Sequence, residues 1–241
     1  MEATPQTDAP EIGLVGRMTR VFYAPGETFA SLARKQSTAD WLVPMIIGAI
    51  LAIFIAQQII PIAMKTSPEM RDMPAEQREM IEKMMGGEEG AVMVGMVVGM
   101  VTAPISTFVM LFAAAALLLL LVKLMGGEGT YSQMMAVYAY SSLIGILKAI
   151  VVTPLMVSKE TMVIQTGLGI LFSDELLQTF AGRFLSMFEL FTVWQAIVAS
   201  MGLAIVGKIA FGKALTGVFV VVIVLVAIGA AASGLSAALG G

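Results

Sequence analysis

Residues 90–122 carry no charged side chain, and this run constrains the fold more than any other feature of the sequence. An apolar run longer than ~18 residues is typical of a membrane-spanning helix, because lipid accommodates many exposed apolar side chains. As one helix the run would reach ~50 Å, whereas the hydrocarbon core of a bilayer is ~30 Å thick. It must therefore tilt, bend or project, and Pro104, which removes a backbone donor, supplies a place to bend.

The composition agrees with a chain that lies mostly in lipid. Hydrophobic residues make up 58% of the 241 positions and charged residues only 13%, whereas a soluble domain has ~25% charged residues. The net charge of −3 argues against nucleic-acid binding. The sequence has no cysteine and no histidine, which excludes disulfides, thiol catalysis and the usual zinc ligands. We expect no cofactor, and residues 1–20 lack the apolar core of a cleaved signal peptide.

Five apolar segments predict five transmembrane helices. They lie at about residues 41–64, 91–122, 133–156, 185–206 and 214–231. The predicted fold class is an all-α polytopic membrane protein, in which residues 41–241 form a bundle of five spans. Gly95 and Gly99 have the spacing that lets two helix backbones approach closely. The candidate helix-packing residues are therefore Gly95, Gly99 and Pro104.

Residues 1–40 form the predicted cytoplasmic N-terminal segment. Residues 1–10 are polar and contain prolines, which is typical of a disordered tail. Two short amphipathic helices are expected after it, separated by Pro25. Their apolar positions are Leu14, Val15, Met18, Val21 and Phe22 in the first, and Phe29, Leu32 and Ala33 in the second. Both helices are expected at the membrane interface, and the alternative is that they pack on the protein's own spans.

The distribution of lysines predicts the orientation. With the N-terminus in the cytoplasm, Lys123, Lys208 and Lys213 fall in two short cytoplasmic loops, and the more acidic loop at residues 65–89 falls on the opposite side. Because basic residues concentrate in cytoplasmic loops, the pattern favours a cytoplasmic N-terminus and an external C-terminus.

The region between the third and fourth spans is less regular. The apolar stretch at residues 162–172 is too short to cross a bilayer, so we expect a re-entrant, interfacial or packed segment. Ser173, Asp174 and Glu175 then predict the start of a helix, which is expected to run on into the fourth span.

Lys148 is an ionisable group inside the third span, and such a group is by default a candidate for function. Glu189 is expected about one turn inside the fourth span, on the same side of the membrane. The two side chains can therefore meet at similar depth and neutralise each other. A transporter would use such a pair as a proton or ion relay. The sequence shows no broken-helix repeat, which favours a structural bond between two helices.

For two further patterns we prefer an explanation that involves no ligand. Residues 202–208 and 207–213 match part of a phosphate-binding loop, but both lack the Ser or Thr that binds magnesium. Thioethers are ligands for cuprous copper, but without Cys or His nearby we interpret the methionines of the charged loop as packing residues. These methionines are Met64, Met70, Met73, Met80, Met84 and Met85. No catalytic motif is present, so we expect no enzyme.

Two stretches carry a family resemblance over roughly residues 15–230. The first has Pro25 and Phe29 four residues apart ahead of Trp41, and the second runs from Phe188 through Trp194 to Gly202. They resemble the Yip (Ypt-interacting protein) family, and its bacterial branch most closely. The residues that match the family motifs are Pro25, Phe29, Trp41, Trp194 and Gly202.

The resemblance implies an integral membrane protein with a cytosolic N-terminus, here in the bacterial inner (plasma) membrane. Eukaryotic members of the family act in vesicle trafficking and bind prenylated Rab-type GTPases and one another. Their Asp-Leu-Tyr-Gly-Pro motif is absent from this sequence, so GTPase binding is not carried over.

The functional hypothesis is a non-enzymatic membrane protein that organises partner proteins or lipid. Its expected partners are membrane lipid and either other membrane proteins or further copies of itself. The competing hypothesis is a small transporter or channel that uses Lys148 and Glu189.

Overall fold

A computed structural model describes residues 12–66, 74–162, 164 and 167–239. These residues contain ten α-helices, one short 3₁₀ helix at Leu168–Leu171 and no strand. The predicted tail at residues 1–10, together with Met70 and Met73, lies outside the described residues. The helices are α1 (Leu14–Arg20), α2 (Pro25–Arg34), α3 (Ala39–Thr66), α4 (Ala75–Met85), α5 (Glu88–Leu124), α6 (Tyr131–Ser158), α7 (Asp174–Gln178), α8 (Phe180–Ser186), α9 (Leu190–Gly207) and α10 (Phe211–Leu239).

Five of these helices, α3, α5, α6, α9 and α10, are long and apolar enough to cross a membrane. The predicted all-α fold class with five spans is therefore confirmed. Half of the most apolar stretch of α6 and of α9 is buried inside the protein, against 11–22% in α3, α5 and α10. Hence α6 and α9 form the centre of the bundle. The other three spans expose apolar side chains such as Val97, Val101 and Ile228, which lipid must cover.

The two ends of the bundle differ in what they carry. At one end, the backbone N–H of Glu128, in the loop between α5 and α6, donates to the Gly207 carbonyl at 2.9 Å. At the same end Gln36, which follows α2, donates to Ser132 at 2.8 Å. Lys208, which follows α9, also donates to the Glu128 carboxyl in the loop between α5 and α6. This hydrogen bond lowers the pKa of that carboxyl. This end therefore holds the N-terminal helices and both lysine-bearing short loops, while the segment before α5 and the segment before α9 lie at the other.

The small-xxx-small pattern is used within the chain. A Cβ atom at Gly95 would lie 3.1 Å from the Ile60 side chain of α3, and one at Gly99 would overlap that side chain. Both glycines thus allow α3 and α5 to pack closely. Pro104 lies inside α5, and the helix continues through it.

The predicted continuous helix from Ser173 into the fourth span is wrong. Thr179 is extended and caps α8 by accepting a hydrogen bond from the Gly182 N–H at 3.0 Å, which separates α7 from α8. Glu189 is extended as well and forms an isolated antiparallel bridge with Gly167. The helix of the fourth span therefore begins at Leu190, because the backbone on its N-terminal side pairs with the returning chain and not with itself.

Candidate functional site

The first two helices form a hairpin that docks on α9. We call residues 14–34 the N-terminal hairpin; Pro25 is the first residue of its second helix, where no amide donor is needed. Phe29 and Leu32 of α2 are completely buried. A Cβ atom at Gly202 would lie 2.9 Å from the Phe29 ring. The ring therefore occupies the space that a side chain at position 202 would need.

Aromatic contacts extend this docking surface along α9. Phe22, in the turn of the hairpin, packs edge to face on Trp194, with ring centroids 6.3 Å apart. Trp41 is partly buried against the same core. The structure thus brings Phe29 and Gly202 into direct contact and places Trp194 beneath the tip of the hairpin.

The hairpin has a buried face and an exposed face. Val21 is fully buried with Phe29 and Leu32, so this part of the apolar stripe packs on the protein's own spans, as the alternative interpretation expected. Ala33, which was expected on the same face, is exposed. Val15 and Tyr23 are each 73% exposed. These two side chains are the large apolar groups that the hairpin exposes.

A buried ion pair holds the hairpin to the spans, and sequence reasoning missed it. Arg17 of α1 is 8% exposed and Asp40 of α3 is 2% exposed. Arg17 Nη1 lies 2.6 Å from Asp40 Oδ1. The same oxygen accepts a hydrogen bond from the fully buried Tyr140 of α6 at 2.8 Å. One carboxylate therefore joins the hairpin to two spans.

The remaining polar atoms of this network are also paired. Asp40 Oδ2 accepts hydrogen bonds from the Ser37 backbone N–H at 2.7 Å and from the Ser37 hydroxyl at 3.1 Å. Arg17 Nε donates to Ser31 Oγ at 3.1 Å. A buried ion pair is favourable when further hydrogen bonds satisfy its atoms in this way.

The sequence did contain a signal for this network. Counted from Leu14, the residues Arg17, Met18 and Val21 follow at three, four and seven positions, so all four share one helical face. A charge on an apolar stripe needs a buried partner. The identity of that partner depends on which span meets the hairpin, which the sequence does not show.

The structure places Lys148 and Glu189 in contact as an ion pair between α6 and the start of α9. The Lys148 side chain is 35% exposed and that of Glu189 is 14% exposed. Lys148 lies two turns beyond Tyr140 on α6, a distance of ~12 Å. Glu189 precedes the first residue of α9, so it lies at the N-terminal end of the fourth span and not one turn inside that span as predicted.

The two partial phosphate-loop matches lack the structure that nucleotide binding requires, and the methionine interpretation stays a prediction. No group of three or more His, Cys, Asp or Glu side chains that could hold a metal ion is found among the described residues. Met80 and Met84 are exposed on α4. Residues 202–208 belong to the end of α9 and its cap, and residues 207–213 to the turn into α10, so neither follows a strand.

Comparison with known proteins gives one match. Residues 19–232 match the Yip1 domain. No curated protein and no solved structure matches the chain. The matched range contains α2, the five spans and both partners of the Lys148–Glu189 pair. Since it covers far more than half of the sequence, this chain belongs to the Yip1 domain family.

Proposed function

We propose that this chain is a non-enzymatic scaffold of the bacterial inner membrane, which organises partner proteins or lipid through its N-terminal hairpin. The observation that carries the proposal is the division of the hairpin into two faces. One face is held to the spans by Phe29 and the Arg17–Asp40 pair, while the other exposes Val15 and Tyr23. Exposed apolar side chains on a firmly held element are available to a partner protein or to lipid.

The proposed orientation places the hairpin in the cytoplasm. Lys123, Lys208 and Lys213 lie at the same end of the bundle as the hairpin, in or beside the two short loops. Basic residues in short loops favour the cytoplasmic side. The proposal therefore puts the docking surface where cytoplasmic and membrane partners both reach it.

Partner capture tests the scaffold function. We expect the double variant Val15→Glu, Tyr23→Glu to lose the partners that the wild-type chain captures from cross-linked native membranes, because two charges replace the exposed apolar side chains. Leu171→Glu is the matched control, since Leu171 is 77% exposed at the opposite end of the bundle. Equal recovery of the same partners by wild type and double variant would contradict the proposal.

The second candidate function is transport, favoured by the ion pair between Lys148 of the third span and Glu189 at the start of the fourth. An intramembrane charge pair is a possible relay for protons or ions. In the structure Lys148 and Glu189 neutralise each other, and they would do the same if the pair only held α6 to the start of α9. Stability and flux measurements on the same variants separate the two roles.

We expect Lys148→Met to lower the free energy of unfolding by about 1–3 kcal/mol, because it removes the ammonium that neutralises a largely buried carboxylate. The double variant Lys148→Met, Glu189→Leu should recover most of the loss, since neither charge of the pair is then left. Thermal unfolding of the full chain in detergent gives this comparison. In liposomes, an ion or substrate flux that Lys148→Met abolishes without loss of stability would establish transport and overturn the scaffold.

A further inference from the structure

The fourth span is shorter than the third at the end of the bundle opposite the N-terminal hairpin. At the hairpin end, α6 begins where α9 ends, since the Glu128 N–H donates to the Gly207 carbonyl. From there α6 has 28 residues and α9 only 18, so α6 extends ten residues further. At ~1.5 Å per residue the difference is ~15 Å. The last ten residues of α6 therefore have no neighbour from α9.

Contacts with the neighbouring spans place the start of α9 at the same level. Lys148, which pairs with Glu189, is ten residues before the end of α6. On α10, a Cβ atom at Gly229 would lie 3.6 Å from the Met187 side chain, and this glycine is ten residues before the helix end. Gly167 forms a bridge with Glu189, so the chain has already returned to this level at residue 167. Residues 167–188 therefore begin and end ~15 Å inside the end of α6.

The short helices between these two points expose large apolar side chains. We call residues 167–188 the return segment; it contains the 3₁₀ helix, α7 and α8. Its exposed large apolar side chains are Leu168, Ile170, Leu171, Leu176, Phe180 and Leu185. Only three of its 22 positions are charged, Asp174, Glu175 and Arg183. Neither α7 nor α8 is long enough to cross a bilayer, so the segment enters and leaves the bundle on the same side.

Side chains cap the breaks between the short helices. The Ser173 hydroxyl accepts a hydrogen bond from the Leu176 N–H at 3.4 Å, at the start of α7. The Thr179 hydroxyl accepts from the Gly182 N–H at 3.0 Å and donates to the Leu176 carbonyl at 2.6 Å, so it serves the end of α7 and the start of α8. Unpaired backbone groups are unfavourable where water is scarce, and these caps therefore suit the boundary of a bilayer.

The exposed apolar surface of the return segment continues that of two spans. The helix α8 packs on α10, where Ile228, next to Gly229, is exposed. The last ten residues of α6 expose Ile150, Val151 and Leu155 at the same level. Lipid covers these side chains, because α6 and α10 are membrane spans. The lipid at this level therefore meets the return segment as well.

We propose that the return segment is a lipid-binding surface in the leaflet opposite the N-terminal hairpin. Ile170, Leu171 and Phe180 insert among the acyl chains just below the head groups, where an interfacial apolar face typically reaches ~5–10 Å into the bilayer. Glu175 stays at the level of the head groups. The bridge between Gly167 and Glu189 holds both ends of the segment at one depth. This inference goes beyond the proposed scaffold function and does not depend on it.

Fluorescence quenching tests this surface. The sequence has no cysteine, so Leu171→Cys, Phe180→Cys and Glu175→Cys can each carry one bimane label in the full chain. Each labelled chain is reconstituted in vesicles of phosphatidylethanolamine and phosphatidylglycerol. Quenching by lipids brominated along the acyl chain is then compared with quenching by aqueous iodide. Val101→Cys is the reference for lipid contact, and Glu79→Cys, on the charged helix α4, is the reference for water.

We expect the labels at Leu171→Cys and Phe180→Cys to be quenched by brominated lipid as strongly as the label at Val101→Cys, and to be protected from iodide. The label at Glu175→Cys should be quenched by iodide, because a charged side chain stays in water. Iodide quenching of the first two labels would overturn the proposal in favour of a surface in water. Protection from both quenchers would overturn it in favour of a protein occupant, such as a second copy of this chain.

Two further measurements keep the test valid. Ile170→Cys gives another label position on the same 3₁₀ helix, should Leu171→Cys not reconstitute. The emission of the native tryptophans shows whether each unlabelled variant keeps the fold of the wild type. The labelled positions lie at the end of the bundle opposite Val15 and Tyr23, so partner capture through the hairpin fails or succeeds independently of the quenching result.

Discussion

Asp40→Ala is expected to lower the free energy of unfolding by about 3–5 kcal/mol, the usual cost of removing one partner from a buried ion pair. The substitution leaves the Arg17 guanidinium buried beside the hydroxyl of Tyr140, without the carboxylate that both contact. It should also release the hairpin from α3. Unfolding of the full chain in detergent measures the first effect, and faster proteolysis between α2 and α3 reports the second.

Two comparisons show whether the burial of the Arg17–Asp40 pair is the reason that Asp40→Ala is costly. The double variant Arg17→Met, Asp40→Ala should lose less than the sum of the single changes, because no unpaired charge remains. Glu27→Ala breaks an ion pair with Arg20 on the exposed side of the hairpin, and exposed pairs contribute only about 0–1 kcal/mol. If Asp40→Ala cost no more than Glu27→Ala, the network would not be what holds the hairpin in place.

Gly202→Leu is expected to lower the free energy of unfolding by about 3 kcal/mol, at the upper end of the usual cost of overpacking a core. A Cβ atom at this position already lies 2.7 Å from Val137 and 2.9 Å from the Phe29 ring. A leucine must therefore push Phe29 out of its site and α2 away from α9. Thermal unfolding gives the cost, and the fluorescence of Trp194, which contacts Phe22 in the hairpin, reports the displacement.

The chain offers a matched control for this glycine. No atom lies within 4 Å of a Cβ built at Gly212, so Gly212→Leu should be neutral or slightly stabilising, since Gly is a poor helix residue. Combining Gly202→Leu with Phe29→Ala should recover part of the loss, because the smaller side chain makes room. A Gly202→Leu variant as stable as the wild type would show that the hairpin is not packed on α9 in this way.

Several elements followed from local patterns. Each of the five spans depends on the hydropathy of one contiguous segment, and lipid enforces helical structure there because no water is present to pair the backbone. The helix breaks around Pro25 and at Gly86–Gly87 follow from backbone geometry in the same way. Lys148 and Glu189 were expected at similar depth because α6 and α9 are consecutive spans of opposite direction.

Other elements depended on contacts between distant segments. The break between α8 and α9 depends on the bridge between Gly167 and Glu189. The two strands of backbone approach so closely that a Cβ at Gly167 would lie 2.6 Å from the Phe188 carbonyl oxygen. A local pattern contains no information on such a contact. The acidic first turn after Ser173 therefore predicts one continuous helix into the fourth span. The chain instead forms three helices there, α7, α8 and α9.

The sequence alone showed that this protein is an all-α membrane chain with five spans, because hydropathy and backbone propensity act over one helix at a time. The Yip resemblance came from a few motif residues, among them Pro25 and Trp194. The tertiary structure decided what the charged and aromatic residues do. Arg17 lies on an apolar stripe and Asp40 precedes an apolar segment, and the two meet in the core because the hairpin folds back over the start of α3. That pairing is favourable only when Tyr140 and Ser37 arrive with them, and their arrival depends on the packing of the whole bundle.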